Sequence, residues 1–416
     1  MIVNTQESTN KIYFDTVKKM VGLDPSVNYS APNIKIGIID EGKSALPYLY
    51  NNTNLKYAEN WSSTILEDTT NNSYHTSKVL STMFQIVTDS NYYVARFETA
   101  KQASSGMSTL KDNVEWLLKK NVNIINMSFN DSTDCGVYNG YCAYLDYIVA
   151  NNNVLFVKSA GNDKQYVTSP GGGMNVLTVG SVCPSYNVSS FSSYGMQSAY
   201  NSKIMKPNLV APGEFRVPLP YSSTNVANNY TVGTSIAAPI VTAIAALLMQ
   251  NFEDLKTNIN KLITLLMAGA QRLPSQSSVV EQECGVGIVN YAVTVDIINN
   301  GRVYSTLNDQ NLKGDTIDEV SFNYNGNTEK LTMMTMCSYP FEISLGNSSS
   351  SATINKTRYS LDLYDSYYNY VTNYTSGSNF IINELELSSY EVYTLEIKMN
   401  STLVSNNPDR ITIVIS

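Results

Sequence analysis

An apolar run near the middle of the chain constrains the fold more than any other feature. It extends from Ile240 to Met249, directly after Pro239, and consists mostly of Ala, Ile, Leu and Val. This run predicts a buried helix and is too short to span a bilayer, which takes about 20 apolar residues. Because proline is tolerated in the first turn, the helix begins a few residues before Pro239. Gly233 and Ser235 then lie at its beginning, which places a serine hydroxyl at the positive end of a buried helix.

Ser235 has two interpretations at this point. A Thr-Ser pair before alanines is most often a helix N-cap. The alternative is a catalytic nucleophile, which requires a base and further partners elsewhere in the chain. The chain has 416 residues and one histidine, His75, so any mechanism that needs an imidazole must use it.

The cysteines indicate neither a zinc site nor a disulfide framework. Five are present, an odd and low number, and no Cys-x-x-Cys pattern or Cys/His cluster accompanies them. Cys135 and Cys142 are close in a predicted loop, and whether they pair stays open. We expect no metal site built from His or Cys, and no required cofactor.

The charge excludes some classes of partner. The net charge of −8 argues against nucleic acid, which needs a basic face. No signal peptide is recognisable, and we expect no membrane span. We therefore expect an extracellular or cell-surface protein if a signal and a prosegment have been removed, and otherwise a cytoplasmic one. The 30 tyrosines indicate compositional bias and a β-rich surface rather than a stacking site.

Predicted strands and helices alternate along residues 1–300. The predicted strands cover residues 34–40, 92–97, 122–127, 154–157, 176–179 and 208–210. This alternation predicts an α/β fold with a parallel sheet flanked by helices on both faces, and sites at the carboxyl ends of the strands. From residue 301 to residue 416, short alternating strands predict a small C-terminal β-sandwich domain.

Four polar residues stand where predicted strands end or helices begin. Asp40 closes the first strand, and Asn162 follows the fourth. His75 and Ser235 each open a helix. Each residue alone is more often structural than catalytic. The order Asp, His, Ser is nevertheless one of the orders used by serine hydrolases, and Ser235 lacks the Gly-x-Ser-x-Gly context of an α/β-hydrolase.

Seven short segments carry a further pattern. They are GIIDEG at 37–42, INMSF at 125–129, SAGN at 159–162, SFSSYG at 190–195, KPNLVAPG at 206–213, GTSIAAP at 233–239 and GVGIVN at 285–290. In content and order they resemble the subtilisin-family serine proteases (subtilases). Together they cover roughly residues 30–295 and are specific, although each alone is weak.

The resemblance implies a role for each of the four polar residues. Ser235 would be the nucleophile, His75 the general base, and Asp40 the carboxylate that orients the imidazole. The Asn162 side-chain amide and the Ser235 N–H would bind the oxyanion.

The resemblance also implies where a peptide substrate lies. An extended peptide would add as a strand between two segments, and a pocket would receive one side chain. The flanking residues would be Ser104, Ser105, Gly106, Ser128, Phe129 and Asn130, and the pocket residues would be Ala160, Gly161 and Thr168–Gly171. For the Ser/Gly-rich stretch at 104–106, a plain solvated loop is the alternative.

Three departures from the family pattern matter. Thr76 stands where a Gly usually follows the catalytic His, and Asn208 stands where many members have Asp. The helix that begins at His75 runs to the strand at Tyr92 without the loop that holds the tight calcium ion of secreted members. We therefore predict that this calcium site is absent.

Three functions remain open. The first is a serine endopeptidase that acts on extended polypeptides or on one precursor peptide. The second is a subtilase-fold pseudoenzyme that binds or scaffolds peptides without cleaving them, and the third is a serine esterase or transpeptidase. The C-terminal domain would stabilise the protein, dock substrate or contact carbohydrate, and packing alone is the favoured role. The oligomeric state does not follow from the sequence.

Overall fold

The structure is a computed structural model that describes most of the chain. The described residues are 5–40, 55–57, 75–96, 106–129, 134–197, 204–217, 230–308, 314–327, 329–336, 342–344, 351–353, 359–375, 379–388, 391–400 and 409–416. The predicted substrate residues Ser104, Ser105 and Asn130 lie outside them, as does Cys337.

A parallel sheet forms the centre of the first part of the chain. Its seven strands are β1 (Lys35–Asp40), β2 (Leu55–Tyr57), β3 (Asn91–Arg96), β4 (Ile124–Met127), β5 (Leu155–Ser159), β6 (Leu177–Val182) and β7 (Leu209–Pro212). They lie in the order β2-β3-β1-β4-β5-β6-β7, and each hydrogen-bonded pair is parallel. The predicted parallel sheet is confirmed. The prediction missed β2 and the short hairpin of β8 (Glu214–Arg216) and β9 (Tyr230–Val232).

Helices cover the sheet, as predicted. They are α1 (Thr5–Met20), α2 (His75–Phe84), α3 (Gly106–Lys119), α4 (Gly140–Asn152), α5 (Thr234–Asn251), α6 (Ile259–Ala268) and α7 (Tyr291–Asn300). Besides the central helix, the sequence predicts helices at residues 13–21, 74–87, 108–120, 144–150 and 254–268, and the structure has a helix at each of these places. Helix α1 begins eight residues earlier than predicted, and α7 was not predicted.

Helix α5 is the central helix, and every residue from Thr234 to Met249 is buried. It packs against strands β4 to β7 and against α2. The apolar run Ile240–Met249 is the second part of α5, and the whole 18-residue helix is long and apolar enough to cross a membrane by length and composition alone. Because α5 is buried among strands and helices, it is the core helix of the fold. Among the described residues, no other helix is long and apolar enough to cross a membrane.

The C-terminal part is a β-sandwich, as predicted. Its strands are β10 (Arg302–Asn308), β11 (Thr316–Tyr324), β12 (Glu329–Met336), β13 (Glu342–Ser344), β14 (Ser351–Thr353), β15 (Tyr359–Tyr364), β16 (Tyr370–Tyr374), β17 (Phe380–Leu385), β18 (Glu391–Met399) and β19 (Asp409–Ile415). Two antiparallel four-stranded sheets, β10-β19-β12-β17 and β11-β18-β15-β16, face each other, whereas β13 and β14 pair with each other in a separate two-stranded sheet. Alternate residues such as Met333 and Ile413 from one sheet, and Val320 and Leu395 from the other, form their shared core.

The sandwich packs against the parallel-sheet region through α6. Asn260 on α6 donates to the backbone carbonyl of Met334 at 3.2 Å. Lys330 on β12 donates to the carbonyl of Met267 at 2.6 Å, at the C-terminal end of α6. Burial lowers the pKa of Lys330 to about 7, and the partial negative charge of the helix C-terminus opposes this effect.

Candidate active site

Asp40 and His75 meet at the carboxyl end of the parallel sheet. Asp40 is the last residue of β1, lies between β3 and β4 in the sheet, and is fully buried. His75 is the first residue of α2, and its side chain is 35% exposed. Its Nδ1 lies 2.9 Å from Asp40 Oδ1 and 3.0 Å from Oδ2. An ionised carboxylate can only accept, so this contact places the proton on Nδ1 and leaves Nε2 as an acceptor.

Ser235 completes the line on the other side of the imidazole. It is the second residue of α5, and its Oγ lies 2.9 Å from His75 Nε2. Gly233, just before the helix, has φ of 153°. A Cβ atom at this position would lie 2.9 Å from Ser235 Oγ. Glycine is therefore required here both by its backbone conformation and by the space around the hydroxyl.

Asn162 lies beside Ser235 with a defined orientation. Its Oδ1 accepts the backbone N–H of Thr234 at 2.8 Å. The side-chain Nδ2 must then point the other way, and it lies 3.4 Å from the position that a Gly233 Cβ would occupy. The same position is close to Ser235 Oγ. The amide N–H of Asn162 and the positive end of α5 therefore border the space next to the hydroxyl, as an oxyanion site requires.

Thr234 fixes this orientation and was not singled out in the sequence. Its Oγ1 accepts the Gly161 N–H at 3.0 Å and donates to Asn162 Oδ1 at 3.0 Å. One buried hydroxyl thus ties the end of α5 to the Gly161–Asn162 turn. The available signal was its position directly before Ser235 in the GTSIAAP segment.

A chain of buried polar side chains supports the first turn of α5. Thr242 Oγ1 donates to Asn126 Oδ1 at 3.0 Å, and Asn126 Nδ2 donates to Ser128 Oγ at 2.8 Å. Ser128 Oγ in turn donates to the Ser235 carbonyl at 2.9 Å. That Ser128 flanks the substrate stays a prediction; its side chain also bonds to the backbone of Ser235.

The predicted pocket residues lie together next to Asn162. Thr168 donates its backbone N–H to the Ala160 carbonyl at 2.8 Å, and its methyl group lies 2.7 Å from where a Gly161 Cβ would be. Phe129 follows β4 and is buried, with Lys158 Nζ 5.3 Å from its ring centroid. The predicted residue Gly106 begins α3.

The departures from the family pattern occupy buried positions. Thr76 is fully buried within α2, and it does not seal the imidazole, since His75 remains partly exposed. Asn208 Oδ1 accepts the Thr178 N–H at 2.8 Å, which joins β6 to the segment before β7. The described residues contain no group of three or more His, Cys, Asp or Glu side chains placed to hold a metal ion. The absence of the tight calcium site stays a prediction.

A second buried carboxylate lies on α4, behind the predicted pocket. Asp146 accepts the Met174 and Asn175 N–H groups at 2.8 and 2.7 Å, and the Tyr138 hydroxyl at 2.9 Å. Burial raises the pKa of Asp146 to about 6. Lys206 is buried nearby and donates to the Val176 carbonyl at 2.6 Å, and burial lowers its pKa to about 7.

Cys135 and Cys142, whose pairing was left open, do not form a disulfide with each other. Cys142 is buried on α4, with its Sγ 3.6 Å from the Pro170 carbonyl oxygen. Burial raises the pKa of its thiol to about 12. The thiol is therefore neutral at ordinary pH and behaves as a small apolar side chain.

The sequence profile of the subtilase family matches residues 31–287. The thermostable alkaline protease of Halalkalibacterium halodurans is 29% identical over 164 residues, which cover 38% of this chain and 40% of that protein. Serine protease AprX of Bacillus subtilis is 30% identical over 191 residues, which cover 37% of this chain and 41% of that protein. The chain thus spans about two fifths of the length of the curated relatives it matches.

Solved structures share the fold. The patellamide maturation protease PatA is 21% identical with a TM-score of 0.51, and the match covers 66% of this chain and 100% of that one. A lanthipeptide protease is 17% identical with a TM-score of 0.52, and the match covers 72% of this chain and 96% of that one.

Proposed function

Because the chain belongs to the subtilase family, we propose that it is a serine endopeptidase whose triad is Asp40, His75 and Ser235. One observation carries the proposal. The only imidazole of the chain lies 2.9 Å from a buried carboxylate through Nδ1 and 2.9 Å from a serine hydroxyl through Nε2. Neither bond serves the fold in an obvious way, since His75 is partly exposed. Both have the directions that proton transfer from the serine requires.

The first half of the reaction begins with the serine proton. His75 Nε2 accepts it while Ser235 Oγ attacks the carbonyl carbon of the substrate. Asp40 stabilises the imidazolium that forms, because its carboxylate is buried and bonded to Nδ1–H. The negative charge that develops on the carbonyl oxygen is stabilised by the Asn162 amide and the Ser235 N–H, which are oriented before the substrate arrives.

The second half returns the enzyme to its starting state. His75 donates its proton from Nε2 to the leaving amine, and the peptide bond breaks to give an acyl group on Ser235. A water molecule then gives a proton to His75 Nε2 and attacks the acyl carbon. The ester bond to Ser235 Oγ breaks as His75 returns this proton to Oγ, which releases the carboxylic acid and restores the Ser235 hydroxyl. The residues present complete this cycle without a metal ion, so we expect EDTA to leave the rate unchanged.

The substrate in this proposal is an extended polypeptide. Segments 104–106 and 128–130 would flank it, and Ala160, Gly161 and Thr168–Gly171 would receive one side chain. The buried contact between Thr168 and Gly161, next to Asn162, supports a pocket wall at that place. A cleavage-site profile on a peptide library distinguishes a general endopeptidase from one that processes a single precursor peptide.

Incubation with a denatured protein tests the proposal. We expect new fragments with the native chain and with the matched control Ser190→Ala, an exposed serine of the SFSSYG segment. We expect none with Ser235→Ala. Fragments from Ser235→Ala at the native rate would end the proposal. Retention of intact polypeptide by the native chain, without cleavage, would favour the pseudoenzyme, and spliced or ester-specific products would favour a transpeptidase or esterase.

A further inference from the structure

The outer face of the sheet β11-β18-β15-β16 carries a cluster of tyrosines, which we call the tyrosine face. Its members are Tyr364, Tyr367, Tyr368 and Tyr370, at the hairpin between β15 and β16. Tyr367, Tyr368 and Tyr370 are 84%, 55% and 60% exposed. Exposed aromatic side chains on this scale, gathered at one place, are typical of a binding surface.

The hairpin turn holds these rings in a fixed arrangement. Asp365 Oδ1 accepts the N–H groups of Tyr367 and Asn369 at 2.9 and 2.8 Å. Tyr368 has φ of 63°, a left-handed conformation that is uncommon for a bulky residue. Its ring stacks on Tyr364 at 5.4 Å between centroids, and its hydroxyl donates to Glu319 at 2.8 Å. The side chain is thus laid across the sheet face instead of extending into solvent.

The surroundings of the tyrosine face are strongly acidic. The described residues on the outer side of the sheet and in its turn include four carboxylates, those of Glu319, Asp362, Asp365 and Glu396. The same described residues include one cation, Lys398. A surface with this imbalance attracts positively charged partners over about 10 Å in dilute salt.

The side chain of Lys398 is bound on this face by both an aromatic ring and carboxylates. Its Nζ lies 5.6 Å from the centroid of the Tyr364 ring. The same ammonium pairs with Asp362 at 2.6 Å and with Glu396 at 3.1 Å. A ring and two carboxylates together therefore bind a lysine side chain at this place, as cation–π and ionic contacts predict.

We propose that the tyrosine face binds polypeptide segments that carry lysine or arginine. The cationic side chains lie over the exposed rings of Tyr367 and Tyr370 and near the carboxylates of Glu319 and Asp365. A sugar is a poorer fit, because Tyr364 and Tyr368 cover each other and Tyr370 meets Tyr364 at 78°. A sugar-binding platform instead needs open, roughly coplanar rings. The site lies on the sandwich and is independent of the proposed protease chemistry.

Fluorescence anisotropy tests the proposal with a labelled 12-residue peptide of alternating lysine and serine. The protein is the full chain with Ser235→Ala, so that any cleavage is removed. We expect saturable binding that weakens as salt is raised. We expect Tyr367→Ser with Tyr370→Ser to bind about tenfold more weakly, the loss expected for two exposed cation–π contacts. Tyr147→Ser, at an exposed tyrosine on α4, is the matched control and binds as the parent does.

Two comparisons can overturn the proposal. A peptide with glutamate in place of lysine that binds equally well would contradict it, as would unchanged binding by the double tyrosine variant. Binding of chitohexaose at the same tyrosines, without binding of the lysine peptide, would assign the face to carbohydrate. If the double variant does not fold, Tyr367→Ser alone repeats the test, since that side chain is almost fully exposed.

Discussion

Two buried carboxylates, Asp40 and Asp146, lie in the same α/β region and differ in what their partners can do. Both are fully buried. Asp40 bonds to an imidazole that is 35% exposed and reaches a serine. Asp146 bonds to two backbone N–H groups and a buried tyrosine hydroxyl. These partners of Asp146 are themselves part of the core.

The difference shows that burial alone does not identify a catalytic carboxylate. A buried charge becomes useful to a reaction only when its partner can exchange a proton with something that enters and leaves. In the proposed mechanism, Asp40 meets that condition through His75. Asp146 instead fixes residues 174–175, next to the predicted pocket, in one conformation. The change from Asp to Asn should therefore lower the reaction rate at position 40 and the free energy of unfolding at position 146.

The largest expected effect is that of Asp40→Asn. Loss of the carboxylate leaves the imidazole without control of its tautomer, and we expect kcat to fall about 10⁴-fold. Initial rates on a labelled denatured protein measure the change. Unfolding in urea is the control, and it should show a much smaller change. A loss of less than tenfold would mean that Asp40 has only the structural role of Asp146.

Next in size is Asn162→Ala, which removes one oxyanion donor and should lower kcat about 10²–10³-fold with little change in KM. Steady-state kinetics on a peptide chosen from the cleavage profile measure both. The change also removes the acceptor for Thr234, so a melting curve accompanies the kinetics. If KM rises while kcat is kept, Asn162 holds the ground state and the oxyanion lies elsewhere.

Asp146→Asn is expected to lower stability with little effect on the rate, in contrast to Asp40→Asn. Removing one partner of a buried charge pair is expected to cost about 3 kcal/mol of the free energy of unfolding. We expect kcat at a temperature well below the melting point to stay within about threefold, because no reacting atom is touched. Urea titrations and initial rates give the two numbers. A rate loss as large as that of Asp40→Asn would place Asp146 in the mechanism.

The buried pair also predicts how stability depends on pH. The folded chain holds Lys206 with a pKa of about 7, below its ordinary 10.5, so the unfolded chain binds more protons between these values and stability rises with pH there. The pKa of Asp146 is raised from 3.8 to about 6, so the folded chain binds more protons between these values and stability falls as pH rises there. The contribution of the pair is therefore lowest between pH 6 and 7.

Urea titrations at pH 7 and pH 9 measure this slope. We expect the free energy of unfolding of the native chain to rise by roughly 1–3 kcal/mol relative to Lys206→Met. Parallel behaviour of the two proteins would show that Lys206 keeps its charge in the folded state across this interval.

Single hydrogen bonds in the polar chain that supports α5 are expected to contribute less free energy, as Ser128→Ala would show. This change removes a single hydrogen bond to the Ser235 carbonyl, worth about 1 kcal/mol, and should lower kcat by about threefold to tenfold. Thr242→Val, two bonds further along the same chain, should lower it less. An unchanged rate with Ser128→Ala would show that the first turn of α5 is held without this bond.

The sequence predicted the candidate site because its polar residues stand at recognisable positions in the predicted elements. Asp40, His75, Asn162 and Ser235 stand at strand ends and helix starts, and parallel strands bring such positions to one edge of a sheet. The positions of these residues at strand ends and helix starts therefore predicted that they lie close together. Sequence patterns also located most of the strands and α5, because long apolar periods are strong signals.

The rest depends on contacts that no local pattern records. Asp146 and Lys206 are 60 residues apart in sequence, and neither looks unusual until the core closes around them. The bond from Ser128 to Ser235 joins two segments for which we predicted separate roles, one beside the substrate and one at the start of α5. The tyrosine face shares this property, because a count of 30 tyrosines does not say which four share a hairpin.

Labelling with a fluorophosphonate, followed by mass spectrometry of the tryptic peptides, tests the central claim most directly. Such a probe reacts with a serine only when a base accepts its proton. We expect one phosphonyl group on Ser235 of the native chain and of Asp146→Asn, very slow labelling of Asp40→Asn, and none of Ser235→Ala. Equal labelling of Ser235→Ala, or a phosphonyl group on another serine of the native chain, would contradict the assignment of Asp40, His75 and Ser235 as a working triad.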